Sequence, residues 1–155
     1  MANSYSQIYI HIILTVKNRD SLILPSWEEK LYQYISGIVK KKNQKLLTIN
    51  GIPNHIHLLI SMKPSCCLSD LIREIKKSTN TFIESNGFCK QHFYWQEGSG
   101  NFSYSYSSIS KVIRYIENQK EHHKKRSFKE EYLEILRKFH VDFEQEYLFR
   151  NIDEK

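Results

Sequence analysis

An α+β chain ordered strand, helix, strand, strand, helix, strand is predicted from two periodicities that alternate along its 155 residues. In Tyr5 to Lys17, Ile8, Ile10, Ile12, Leu14 and Val16 share one parity, opposite Gln7, Tyr9, His11 and Thr15. In Pro53 to Ser61, Ile56, Leu58 and Ile60 stand opposite His55 and His57. A period of two is the mark of a strand with unlike faces. Between and after these runs the apolar spacing changes to the helical one.

The first strand ends at the turn-like Asn18-Arg19-Asp20-Ser21, and after Pro25 the segment Ser26-Trp27-Glu28-Glu29 reads as a capped helix start. That helix runs through Tyr34 and Val39 and fails near Asn43. Leu46 to Ile49 is a short second strand, and Asn50-Gly51 is a turn signal before the histidine strand. Ser69-Asp70 opens a second helix carrying Leu71, Ile72, Ile75 and Phe82, which closes near Asn86-Gly87. Phe93 to Gln96 is the best candidate for the last strand, by its aromatic content, with Asn101 to Ser107 as an edge extension or loop. The order is that of a ferredoxin-like (RRM-like) βαββαβ sheet, with two helices on one face and the other face open. His11, His55 and His57 belong to the open face.

Two more helices follow. Ser108 to about His122 carries the stripe Ile109, Val112, Ile113 and Ile116, with Tyr115 and Gln119 to one side of its centre. Ser127 to Phe139 carries Phe128, Tyr132, Leu136 and Phe139 along one side, and should pack on the core or on a second copy. The whole, residues 1–155, is expected to be one domain: a core of about 5–106, a helix of about 108–122 and a C-terminal segment of about 127–155.

A formal charge of +6 and basic clusters at Lys40-Lys41-Lys42, Lys76-Lys77 and Lys124-Lys125-Arg126 point to an anionic partner, without choosing among DNA, RNA and membrane. No apolar run is long enough to span a bilayer, and the first residues do not read as a secretion signal, so an intracellular protein is expected. Cys66, Cys67 and Cys89 are odd in number and unevenly spaced, which fits free thiols in a reducing compartment.

The chemistry is concentrated in few residues. Two histidines one strand residue apart converge without a backbone turn, and a neutral imidazole binds a divalent metal through one ring nitrogen. A cation at His55 and His57 would polarise a phosphate oxygen. Gln119, one helical turn from Tyr115, offers a neutral carbonyl ligand. Tyr115 offers a nucleophilic phenol, provided its ordinary pKa near 10 is overcome. Attack on a phosphodiester would link DNA to the tyrosine, and a second hydroxyl would reverse the step.

The run Pro53-Asn54-His55-Ile56-His57-Leu58-Leu59, followed by Tyr115-Ile116-Glu117-Asn118-Gln119 and by Glu121-His122-His123, resembles the small single-tyrosine transposases of the HUH superfamily. His11 to Arg19 and Phe128-Lys129-Glu130-Glu131-Tyr132 extend the likeness over nearly the whole chain. The resemblance implies Tyr115 as nucleophile and His55, His57 and Gln119 as ligands of Mg²⁺ or Mn²⁺. It implies single-stranded DNA with hairpin ends as substrate, a 5′-phosphotyrosyl intermediate, and no nucleotide cofactor. Relatives are homodimers in which the tyrosine helix of one subunit can complete the site of the other, and a prokaryotic, cytoplasmic, nucleoid-associated location with no membrane follows. Relatives often carry aspartate before the first histidine, where this chain has Asn54.

Lys17, Arg19, the three basic clusters and Trp95 are candidate DNA contacts, and His11 and His122 candidate accessory groups. Two other readings stay open. One is a ferredoxin-like module that binds RNA or DNA without cutting it. The other is a structural metal site joining the cysteines to the histidines.

Overall fold

The computed structural model describes residues 5–17, 22–90 and 92–144. Four strands, β1 (Tyr9–Thr15), β2 (Lys45–Ile52), β3 (His55–Ser61) and β4 (Gly100–Tyr104), form one antiparallel sheet in the order β2-β3-β1-β4. Helices α1 (Glu28–Lys41) and α2 (Leu68–Ser85) connect them, and α3 (Ile109–Glu117), α4 (Gln119–His122) and α5 (Phe128–Lys138) follow. The βαββαβ order followed by three further helices is the ferredoxin-like architecture read from the sequence, with the tyrosine helix in two pieces. No described helix is long and apolar enough to cross a membrane.

Ile12, Leu14, Ile56, Leu58 and Ile60 point to α1 and α2, where they meet Leu31, Ile35, Val39, Leu71 and Ile75. The other face is not open. Leu59 packs against Ile109, Val112 and Ile116 of α3, and Ile13 packs with Phe102 against Phe128, Tyr132 and Leu136 of α5. The apolar stripes of α3 and α5 must be buried somewhere, and this chain lays both on its own sheet. His11, His55 and His57 are therefore fully buried rather than displayed.

The last strand is Gly100–Tyr104, paired along β1 from Tyr9↔Tyr104 to Ile13↔Gly100, and not Phe93 to Gln96. Those aromatics serve the core instead. Phe93 is fully buried against Trp95 with ring centroids 4.9 Å apart, and the Trp95 indole N–H donates to Thr79 Oγ1 of α2 at 2.9 Å. Among the described residues, an isolated bridge, Val16↔Trp95, ties this segment to the end of β1. Gly98, at φ +80°, turns the chain into β4. At Gly100 a Cβ would stand 2.7 Å from the Tyr132 hydroxyl, so glycine lets the Tyr132 ring of α5 pack close to β4.

Asn50 and Gly51 are strand residues, opposite His57 and Ile56, and the hairpin turns at Pro53 and Asn54. The Asn50 amide leaves the sheet to donate to the carbonyls of Ile116 and Glu117 at 3.1 and 2.9 Å. It caps the end of α3, and the helix expected to run to about His122 breaks at Asn118 before restarting as α4. Lys120 Nζ donates back to Asn50 Oδ1 at 2.8 Å, fixing α4 to β2.

Candidate active site

Strand β3 presents both imidazoles to the α3–α5 side because they share one parity. His55 Nδ1 donates to Asn54 Oδ1 at 2.7 Å, which turns Nε2 inward. The neutral amide of Asn54 thus orients the ring as a carboxylate would, without a charge. His57 Nδ1 lies 2.7 Å from His11 Nε2 and its Nε2 likewise points into the cluster. His11 Nδ1 has no hydrogen-bond partner among the described residues.

Three helical segments bring the remaining groups. Gln119, the first residue of α4, sets Oε1 3.2 Å from His55 Nε2. His123 sets Nε2 3.0 Å from the same oxygen, its Nδ1 donating to the Arg126 carbonyl at 2.9 Å. Glu131, in the first turn of α5, is the hub. Its Oε1 lies 3.2 Å from His57 Nε2, 3.1 Å from His123 Nε2 and 3.4 Å from His55 Nε2, and its Oε2 accepts from Gln119 Nε2 at 2.9 Å. Tyr115, at the edge of the buried stripe of α3, donates its hydroxyl to Glu131 Oε2.

Burial pushes the His55 imidazole down to about 3, so it is neutral near pH 7. Burial alone would raise the Glu131 carboxyl, but the ring nitrogens of His123, His55 and His57 gathered around it outweigh burial and hold the group ionised. Burial, then the Glu131 charge, raises the Tyr115 phenol well above its usual range.

The donor set fits a divalent cation. His55, His57 and Glu131 offer ligand atoms within 4.8 Å of one another. The proton of neutral His55 sits on Nδ1, so its Nε2 lone pair faces oxygens of Gln119 and Glu131. His123 likewise turns Nε2 to these oxygens while its Nδ1 faces the Arg126 carbonyl. Ring nitrogens and oxygens converging this closely are satisfied by a positive charge at their centre. Imidazole, amide and carboxylate donors together suit a divalent cation.

The sequence-derived quartet of Tyr115, His55, His57 and Gln119 comes together, and it does so within one chain. His122 is half-buried with its ring 5.1 Å from that of Tyr115, and its Nε2 accepts from Arg126 at 2.7 Å. Lys124 and Lys125 are exposed in the link between α4 and α5. Lys40, Lys41 and Lys42 lie at the end of α1 and Lys77 on α2, in the helix layer across the sheet. Lys76, also on α2, donates to the carbonyls of Gln96 and Gly98, a staple for the turn before β4. Lys17 lies at the end of β1, its Nζ 5.7 Å from the Tyr94 ring centroid. Trp95 is a core residue and offers no ring for a base to stack on. Arg19 lies outside the described residues. Cys66 and Cys89 pack in the α1–α2 core, across the sheet from the histidines, which removes the cysteine–histidine metal site.

Glu131 escaped the sequence reading, and His123 entered it only beside His122, as a helix-end histidine that could serve the tyrosine or a phosphate. Each left a trace: Glu131 sits three residues after Phe128 on the buried side of α5, and His123 one helical turn after Gln119.

Residues 4–119 match the family described as transposase, IS200 like. The chain belongs to that family. Among IS200-like relatives, the ISDra2 transposase TnpA of Deinococcus radiodurans is 24% identical over 119 residues, 73% of this chain and 84% of the relative. A crystal structure described as a candidate transposase from Deinococcus radiodurans R1 superposes with a TM-score of 0.62 at 18% identity, covering 77% of this chain and 95% of that one. A second structure, described as a REP-associated tyrosine transposase bound to a REP hairpin, gives 0.59 at 17% identity, with 79% and 73% coverage. Both likenesses show the fold. The IS200-like match spans His55, His57, Tyr115 and Gln119 and ends before His123 and Glu131.

Proposed function

We propose that this chain is a metal-dependent endonuclease and transposase of single-stranded DNA, cutting and rejoining insertion-sequence ends through a 5′-phosphotyrosyl link at Tyr115. The observation that carries the reading is the meeting of the Tyr115 hydroxyl with the inward nitrogens of His55 and His57 at one buried carboxylate. Membership of a transposase family supports it, and the REP hairpin bound by one structural neighbour supports hairpin-bearing DNA as the substrate.

His55, His57, Gln119 and Glu131 would hold Mg²⁺ or Mn²⁺. When bound, the cation supplies Lewis-acid polarisation of a nonbridging phosphate oxygen and positive charge that favours the phenolate. Without it the phenol keeps its proton and Glu131 keeps it in place. During attack the bond from Tyr115 Oη to phosphorus forms and that from phosphorus to the 3′ oxygen breaks. The phenol proton leaves through Glu131 Oε2, which already accepts it, and the departing 3′ oxygen gains a proton to become a hydroxyl. A phosphodiester replaces a phosphodiester, so no nucleotide cofactor is needed, and a 3′-hydroxyl from another strand reverses the step.

The site is complete in one chain, which supports attack in cis; a homodimer would place two such sites at the two ends of an element. On this reading residues 1–155 act as one unit, on DNA in the prokaryotic cytoplasm. Denaturing gels of labelled single-stranded element ends test it. A slowly migrating protein–DNA adduct should form with Mg²⁺ or Mn²⁺, and disappear with chelator or in Tyr115→Phe. Binding without any adduct would favour the non-cutting nucleic-acid module.

A further inference from the structure

A cleft between the end of β4, α3 and α5 reaches the buried cluster. It has a volume of about 450 Å³, and both Tyr115 and Glu131 line its inner end. That volume lies within the range of small-molecule sites. Val112 and Ile135 make an apolar floor and Tyr104 a half-buried aromatic wall. Lys111 and Lys138 are exposed on the rim, with Lys138 Nζ 5.8 Å from the Tyr104 ring centroid, and Arg126 stands beside them.

We propose that this cleft is the subsite for the nucleotide next to the scissile phosphate of a single-stranded DNA. The inference rests on the strand-transfer reading and assigns the residues that seat the strand. A nucleotide pairs an anionic phosphate with an aromatic base. The cleft pairs a cationic rim with an apolar, aromatic wall, and its inner end is the nucleophile. A base lies against Tyr104 over Val112 and Ile135, while its phosphates meet Lys111, Lys138 and Arg126. Stacking on Tyr104 and charge at Lys111, Lys138 and Arg126 are what the cleft offers a nucleotide beside its inner Glu131.

Arg126 is not idle in the unliganded chain. Its guanidinium pairs with Glu134, a carboxylate 66% exposed on α5 that also lines the cleft. A phosphate must compete with this carboxylate for the same guanidinium. Removing the Glu134 charge should therefore tighten DNA binding, an effect that a merely structural ion pair would not produce.

The test is fluorescence anisotropy of a short fluorescein-labelled oligothymidylate with the full chain in EDTA, over a salt series. Lys111→Ala and Lys138→Ala should each weaken binding about three- to tenfold and reduce the salt slope by about 1. Glu134→Gln should tighten it about threefold or more. Both lysines are exposed, so thermal midpoints should match wild type and exclude misfolding. Unchanged affinity and slope in the double lysine variant, or no tightening in Glu134→Gln, overturns the assignment. Adduct formation is scored in parallel. Cleft variants that bind and react like wild type sink the cleft alone. Weakened binding in a chain that never forms an adduct sinks strand transfer and leaves the cleft as a DNA site.

Discussion

The Tyr115 hydroxyl donates to Oε2 of Glu131, a carboxylate with no solvent exposure that the chain supplies sixteen residues later from another helix. The nucleophile candidate is thereby tied to the group that also gathers His55, His57 and His123. Docking of α5 on the sheet is what brings Glu131 to the other residues of the site.

Glu131→Gln keeps the shape of the side chain and removes its charge. Mn²⁺ affinity measured by calorimetry should fall at least about tenfold. The thermal stabilisation given by Mn²⁺ should fall with it, while the metal-free protein stays folded. Unchanged Mn²⁺ affinity would remove Glu131 from the ligand set. His123→Ala should weaken Mn²⁺ in the same direction, since its Nε2 faces the same oxygens.

Acid should destabilise the metal-free protein. His55 titrates at about 3 when folded and about 6.5 when unfolded, so between those values the unfolded chain binds the extra proton. The stabilising contribution is complete above about pH 6.5 and is lost as pH falls toward 3. At about pH 4.5 the loss from this one ring is about 2 to 3 kcal/mol. Urea midpoints in EDTA should fall from neutral pH to that point, and fall less in His55→Gln. An identical pH slope in that variant contradicts the assignment.

The histidine pair was legible because a strand's period of two gives a one-residue separation only one meaning. Spacing set Tyr115 and Gln119 one helical turn apart, but only the family resemblance singled them out from ten tyrosines and the surface amides, and the chain breaks at Asn118 between them. Glu131 was not. Beside Glu130, in a first turn capped by Ser127 Oγ accepting from the Glu130 N–H, it reads as a charge placed for the helix dipole. Its role depends on which sheet face α5 covers, and no local pattern states that. Phe93 to Gln96 misled for a related reason. Aromatics favour strands because they fill half-buried surfaces, and here the surface they fill is the contact with α2.

Gly100→Ala probes that packing directly. The added methyl meets the Tyr132 hydroxyl and the Phe102 ring, so α5 must shift or β4 must bend. A destabilisation of about 1 to 3 kcal/mol is expected in urea unfolding, with weaker Mn²⁺ binding because Glu131 moves with α5. Wild-type values for both would show that α5 does not dock as described.

Assembly of the whole site in one chain predicts no rescue between defective subunits. A mixture of Tyr115→Phe and His57→Ala proteins should give no adduct above either alone. Recovery toward a quarter or more of wild-type activity would mean that the tyrosine helix crosses to a partner.

The most direct measurement is peptide mapping of the covalent product. Single-stranded element ends are incubated with the protein and Mn²⁺, digested with nuclease and protease, and analysed by mass spectrometry. Tyr115 should carry the phosphonucleotide remnant joined through a 5′ phosphate, with a free 3′-hydroxyl on the released strand. A remnant on any other tyrosine, or cleavage that leaves every tyrosine unmodified, would contradict the account.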